Sequence, residues 1–154
     1  MAEQLLPRVP ENRQVHENIN NSVLLAEISC DERDRIINAG RWLEFAQGEH
    51  VYLQGDNDQL FYMIESGSVE LLLNAGSSGR LSVSQIGPGG HFGETSLLTG
   101  NNRSLSVLAL TPLRLLVFDL KTFNSVLLGQ PVIQHRLNVS LAKRLLLSFQ
   151  DHAN

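Results

Sequence analysis

Glu94 and Arg103 stand nine residues apart in the stretch Gly89-Gly90-His91-Phe92-Gly93-Glu94-Thr95-Ser96-Leu97-Leu98-Thr99-Gly100-Asn101-Asn102-Arg103-Ser104. Glycines let backbone N–H groups come close to a ligand, and the start of a short helix favours an anion. A guanidinium offers a forked, permanently charged partner for phosphate. An ionised carboxylate only accepts hydrogen bonds, which suits ligand hydroxyls. Together these types imply a ligand that carries both an anionic phosphate and a sugar diol. The competing reading of Glu94 and Arg103 is a structural ion pair or two solvated loop charges, with the glycines serving as turn-formers.

Other chemistry is thinly represented. The histidines, at 16, 50, 91, 135 and 152, include no tight pair preceding an acid, and His91 with Glu94 is a weak metal signal. A metal-dependent cupin enzyme is accordingly a distant third reading. Cys30 is the single cysteine, which excludes an internal disulfide and a zinc site built from several cysteines. It reads as a buried thiol at a helix cap rather than a nucleophile. The chain has no Gly-x-Ser-x-Gly elbow, P-loop or dinucleotide fingerprint. No enzymatic activity, catalytic residue, metal or cofactor is expected.

Composition bounds the partners. Hydrophobic residues make up 42% of the 154 and charged ones 18%, the balance of one globular domain. The net charge of −4 argues against direct nucleic-acid binding, which needs clustered Lys and Arg. No apolar run approaches the ~20 residues of a transmembrane helix. The first residues lack the basic start and apolar core of a signal peptide, so a cytoplasmic location is expected.

The elements that must position the stretch follow from periodicity. Residues 1–14, with Pro7 and Pro10, read as a lead-in, and residues 15–154 as one domain. Helices are expected over 15–40, with Val23, Leu24 and Ile28 as one apolar patch. Ser29-Cys30-Asp31-Glu32 is a capping box, Ile36 and Ile37 face inward, and Gly40 ends the segment. Over 41–119 the period becomes two, with strands at Val51–Leu53, Leu60–Ile64, Val69–Leu73, Leu81–Ile86, Ser104–Leu110 and Leu113–Asp119. Strands so spaced, without long helices between them, indicate an antiparallel β-roll or jelly-roll barrel, a mainly β (α+β) fold. C-terminal helices are expected over 121–150, where Ile133, Leu137, Leu141, Leu145 and Phe149 make an apolar stripe that starts near Pro131. Such a stripe serves as core, as a homodimer seam or as a lid over a ligand.

Phe92-Gly93-Glu94 with Arg103-Ser104 resembles the phosphate-binding cassette of the cyclic-nucleotide-binding domain family. Members include catabolite-activator-type regulators and regulatory subunits of cAMP-dependent protein kinase. The likeness covers about residues 22–150, including Phe45, Gly48-Glu49, Gly55-Asp56 and Leu60 to Gly67. Asn102, in place of a common proline, and Leu105, in place of a small residue, depart from it. The resemblance implies a sensor of cAMP or cGMP in which Glu94 holds the ribose 2′-hydroxyl and Arg103 the cyclic phosphate. Gly93, Thr95, Ser96 and Ser104 would complete the cradle, and Ser104 leans the reading to cAMP. Arg136, Asn138, Ser140 and Arg144 are the candidates to cap the ligand from the lid. Movement of that lid would signal to an effector protein or domain; the residues after the stripe are too few for a helix-turn-helix, so the chain reads as a free-standing module, a subunit acting on another chain or a piece of something larger. The alternative is an interaction scaffold of the same fold that binds no nucleotide. Replacing Arg103 or Glu94 by Ala is expected to weaken binding while the fold survives.

Overall fold

The computed structural model describes residues 16–74 and 76–153, the side chains of 78 and of 145–153 excepted. The lead-in of residues 1–14 and the stripe positions Leu145 and Phe149 therefore lie outside the described residues or side chains.

Two short helices, α1 (Glu17–Asn20) and α2 (Cys30–Ala39), precede eight strands. These are β1 (Arg41–Phe45), β2 (His50–Tyr52), β3 (Leu60–Ser66), β4 (Val69–Asn74), β5 (Arg80–Ile86), β6 (His91–Phe92), β7 (Ser106–Ala109) and β8 (Leu113–Asp119). Helix α3 (Glu94–Thr99) interrupts them after β6, and α4 (Leu120–Thr122), a π turn (Phe123–Leu127) and α5 (Pro131–Ala153) follow. The strands form two antiparallel four-stranded sheets, ordered β1-β8-β3-β6 and β2-β7-β4-β5. This is the antiparallel β-roll with flanking helices expected from the periodicity.

The cores explain why β3 and β8 read as unbroken apolar runs. Tyr62, Ile64, Leu113, Leu115 and Val117 point between the two sheets, with Val69, Leu71, Phe92 and Val107. Their alternates Phe61, Met63, Leu116 and Phe118 point the other way, against Ile19, Leu24, Leu25, Ile36, Phe123, Leu127, Ile133 and Leu137 of the helical segments. A strand covered on both faces needs apolar residues at every position. The outer layer thus fixes α5 by its first turns, since Ile133 and Leu137 are fully buried.

Local departures have local causes. Residues 21–27 form turns rather than helix, so Val23 is exposed while Leu25 takes its place in the core with Leu24. Ser29 Oγ accepts from Glu32 N at 3.3 Å as a cap should, but the Glu32 carboxylate accepts from Gln130 Nε2 ahead of α5 instead of closing the box. Cys30 is exposed rather than buried, and the Arg33 guanidinium donates to its sulfur at 3.1 Å. Gly67 is fixed by space and angle together. Its φ is 89°, and a Cβ there would lie 2.2 Å from Pro112 O.

Candidate functional site

β6 ends at Phe92, and the chain turns through Gly93 into α3. Gly93 has φ 94°, and a Cβ would come within 2.9 Å of Leu60 O and 3.1 Å of an Arg103 nitrogen. The glycine therefore lets the cassette backbone sit directly on the side chain of Arg103. Glu94 is the first residue of α3 and is fully buried. A buried carboxylate needs partners, and both come from α5. Ser140 Oγ donates to Oε1 at 3.2 Å, and Arg144 NH1 lies 2.9 Å from Oε1 and 3.1 Å from Oε2. A second Arg144 nitrogen donates to His91 O at 2.5 Å.

Arg103 enters from the loop before β7 and is 4% exposed. Its Nε donates to Asp58 Oδ1 at 2.6 Å, and NH2 lies 2.5 Å from the same oxygen. NH1 donates to Gly93 O at 2.8 Å and to Ser96 Oγ at 2.6 Å, and NH2 also to Leu60 O. Every guanidinium nitrogen is thus engaged by a protein acceptor. The charge centre also lies 4.0 Å above the centre of the Tyr52 ring.

A small cleft, partly open to solvent, is lined by Tyr52, Leu71, Gly93, Thr95, Ser96, Arg103, Ser104, Leu105 and Arg144. Five of the six cassette residues singled out in the sequence line it, and the sixth, Glu94, lies beneath Arg144 and Ser140. Its walls suit a ligand with an apolar face and a polar edge. Leu71 and Leu105 supply the first, and hydroxyls, backbone and guanidinium groups the second. Two cations, Arg103 and Arg144, are each paired with a carboxylate, Asp58 and Glu94.

The four lid candidates separate. Ser140 and Arg144 converge on Glu94. Arg136 instead donates to Leu24 O at 3.1 Å and Ala26 O at 2.6 Å, tying α5 to the N-terminal turns. Asn138 is exposed. Two participants, Asp58 and Tyr52, were not singled out from the sequence, and His91 was weighed there only as a metal ligand. Asp58 follows the Gly55-Asp56 turn, and its second oxygen accepts from Tyr62 Oη at 2.9 Å. Tyr52 fell within the expected strand Val51–Leu53. His91 places Nε2 3.2 Å from Ser140 Oγ, and burial holds its pKa below the ordinary value, with Glu94 raising it and Arg144 lowering it. Among the described residues, no three His, Cys, Asp or Glu side chains gather as a metal site, and no helix is long and apolar enough to cross a membrane.

A family model described as "Cyclic nucleotide-binding domain" matches residues 42–129. The chain is 26% identical over 136 residues to the cAMP-dependent protein kinase regulatory subunit of Dictyostelium discoideum, covering 86% of this chain and 42% of that one. It is 29% identical over 144 residues to the cyclic AMP receptor protein of Thermus thermophilus, covering 88% and 67%. The crystal structure of the Thermus thermophilus catabolite activator protein superposes with a TM-score of 0.75 at 28% identity, over 84% of this chain and 61% of that one. The chain thus spans less than half the length of the kinase regulatory subunit it matches.

Proposed function

The chain belongs to the cyclic nucleotide-binding domain family, and from that premise we propose that it is a cAMP sensor whose C-terminal helix reports on the ligand. The carrying observation is the meeting of cassette and helix α5 at one carboxylate. Glu94 is the acceptor proposed for a ribose hydroxyl, and it is the group that Ser140 and Arg144 hold. Anything that hydrogen-bonds Glu94 from the cleft acts on the same atoms that anchor α5, so the ligand has differential contacts with two helix arrangements. The output is a shift of α5 relative to the β-roll, read by an effector protein in the cytoplasm.

In this reading Gly93, Thr95, Ser96 and Ser104 line the phosphate end of the cleft and Arg103 supplies positive charge. The preference for cAMP over cGMP draws on Ser104, which lines the cleft, and on relatives named for cAMP. The engagement of every Arg103 nitrogen by a protein acceptor favours a second reading, an interaction scaffold that takes no nucleotide.

Calorimetric and thermal-shift titration with cAMP and cGMP separates the two. A sensor gains about 2.7 kcal/mol of apparent stability at a ligand concentration 100 times its dissociation constant. Absence of heat and of any shift with either nucleotide leaves the scaffold. A preference for cGMP that disappears in Ser104→Ala reverses the choice of base.

A further inference from the structure

Tyr52 closes the short strand β2, whose residues Val51 and Tyr52 are both buried. Successive strand residues ordinarily face opposite sides. Here the pairing of β2 with β7 shifts register between His50 and Tyr52. Such an irregularity re-aims a side chain, and it lets Tyr52 join Val51 in the core between the sheets. The ring stacks under the Arg103 guanidinium at 4.0 Å, with Tyr62 at 5.8 Å and Phe92 at 6.0 Å. Tyr52 is 8% exposed, yet its hydroxyl has no hydrogen-bond partner among the described residues, whereas the neighbouring Tyr62 hydroxyl donates to Asp58. The ring is buried but the phenol oxygen still reaches solvent, which leaves it free to bond a ligand in the cleft.

The residue lines the cleft beside Gly93, Thr95, Ser96 and Ser104. Resting on the cyclic-nucleotide reading of that cleft, we infer that the Tyr52 hydroxyl is a ligand contact that donates a hydrogen bond to an anionic phosphate oxygen. Phosphate oxygens only accept, and Arg103 spends its N–H groups on Asp58, Ser96 and two carbonyls. Tyr52 is a side-chain donor without a protein acceptor among the described residues, held against the cation that draws the phosphate in. Burial raises its pKa, so the phenol keeps its proton at neutral pH. Arg103 then acts on phosphate through its charge and by holding the ring, with Tyr52 supplying the directed bond.

Tyr52→Phe removes the hydroxyl and leaves the ring. Parent and variant are titrated with cAMP by calorimetry, and the phosphorus and adenine proton resonances of the bound nucleotide are compared by NMR at saturation. The variant should melt no lower than the parent, because no intramolecular bond is lost. Its affinity for cAMP should fall roughly ten- to a hundredfold, the range for a hydrogen bond to a charged acceptor. The phosphorus resonance should move while the adenine protons stay in place. Equal affinity, or an unmoved phosphorus resonance, overturns the contact and leaves the sensor reading intact. A parent that binds no cyclic nucleotide overturns both.

Discussion

Arg144 of α5 and Glu94 of α3 form an ion pair of 2.9 Å in which the carboxylate is fully buried and the arginine side chain is 20% exposed. The two residues lie fifty positions apart, so the pair is a tether between the C-terminal helix and the cassette. Its energetic asymmetry matters more than its attraction. Breaking a buried pair leaves an uncompensated charge, which costs more than the intact pair contributes.

Arg144→Ala leaves Glu94 with Ser140 as its remaining partner on α5. Because Arg144 is partly solvated, the loss should fall below the 3–5 kcal/mol of a fully buried pair, at about 1–3 kcal/mol. Hydrogen exchange over residues 131–144 should quicken in the variant while the β-roll keeps its protection. Unchanged exchange on α5 would mean that Ile133 and Leu137 hold the helix without the tether.

Arg103→Ala reaches further than the ligand. It removes a donor from Gly93 O and Leu60 O and leaves the Asp58 carboxylate, a quarter exposed, with the Tyr62 hydroxyl but without its cation. A stability loss of roughly 2–4 kcal/mol is expected, and simultaneous replacement of Asp58 by Asn should recover part of it. The expectation from sequence that the fold simply survives this change therefore needs the qualification that binding and stability fall together. Chemical denaturation of the single and double variants measures the coupling, and strict additivity would show that Asp58 is solvated well enough to stand alone.

His91 gives the tether a pH dependence. Burial lowers its pKa in the folded chain, and the facing groups are Glu94 on α3 with Ser140 and Arg144 on α5. The unfolded chain then binds more protons, so stability is full above the ordinary histidine value near 6.5 and falls as pH drops below it toward the lowered value. Glu65, whose carboxylate accepts from Asn18 N and Ile19 N, has a raised pKa and works in the opposite sense. The quantity to measure is therefore the difference between parent and His91→Gln melting temperatures from pH 7.5 to 5. Parent stability should fall more steeply; parallel curves would remove His91 from the account.

Much of this was legible from local pattern. Leu113–Asp119 could be bounded from its apolar run, and the observed strand has those limits. Glu94 and Arg103 stood out because glycine spacing and charge occur together in a short window. What sequence could not show depends on partners distant along the chain. Val23 and Leu25 are chemically alike, and a turn geometry with Glu27 at φ 67° decides that Leu25 goes in. Arg136 and Arg144 sit on one helix with equal claims as lid residues, and the position of the N-terminal turns sends Arg136 away from the cleft. Asp58 looked like one more loop acid until β3 and the Arg103 loop were brought together.

The same geometry sharpens the test of α5 as the moving part. Truncation after Gln130 removes Ile133 and Leu137, both fully buried, and so damages the helical core along with any lid. Truncation after Val139 keeps those two and removes Ser140 and Arg144. The shorter chain, ending at Gln130, should be less stable by several kcal/mol, as loss of two buried aliphatic side chains implies. The longer chain should stay folded with Glu94 opened to water. If α5 closes over nucleotide, that chain binds cAMP more weakly, because the closed arrangement loses its contacts. Discrimination between adenine and guanine should fall with affinity, since the base face is then in water. In the intact chain, protection of residues 132–149 should rise on adding cAMP. Undiminished affinity after the Val139 cut, with exchange on α5 indifferent to ligand, would make the helix a structural element and move the switch to the turns between α1 and α2.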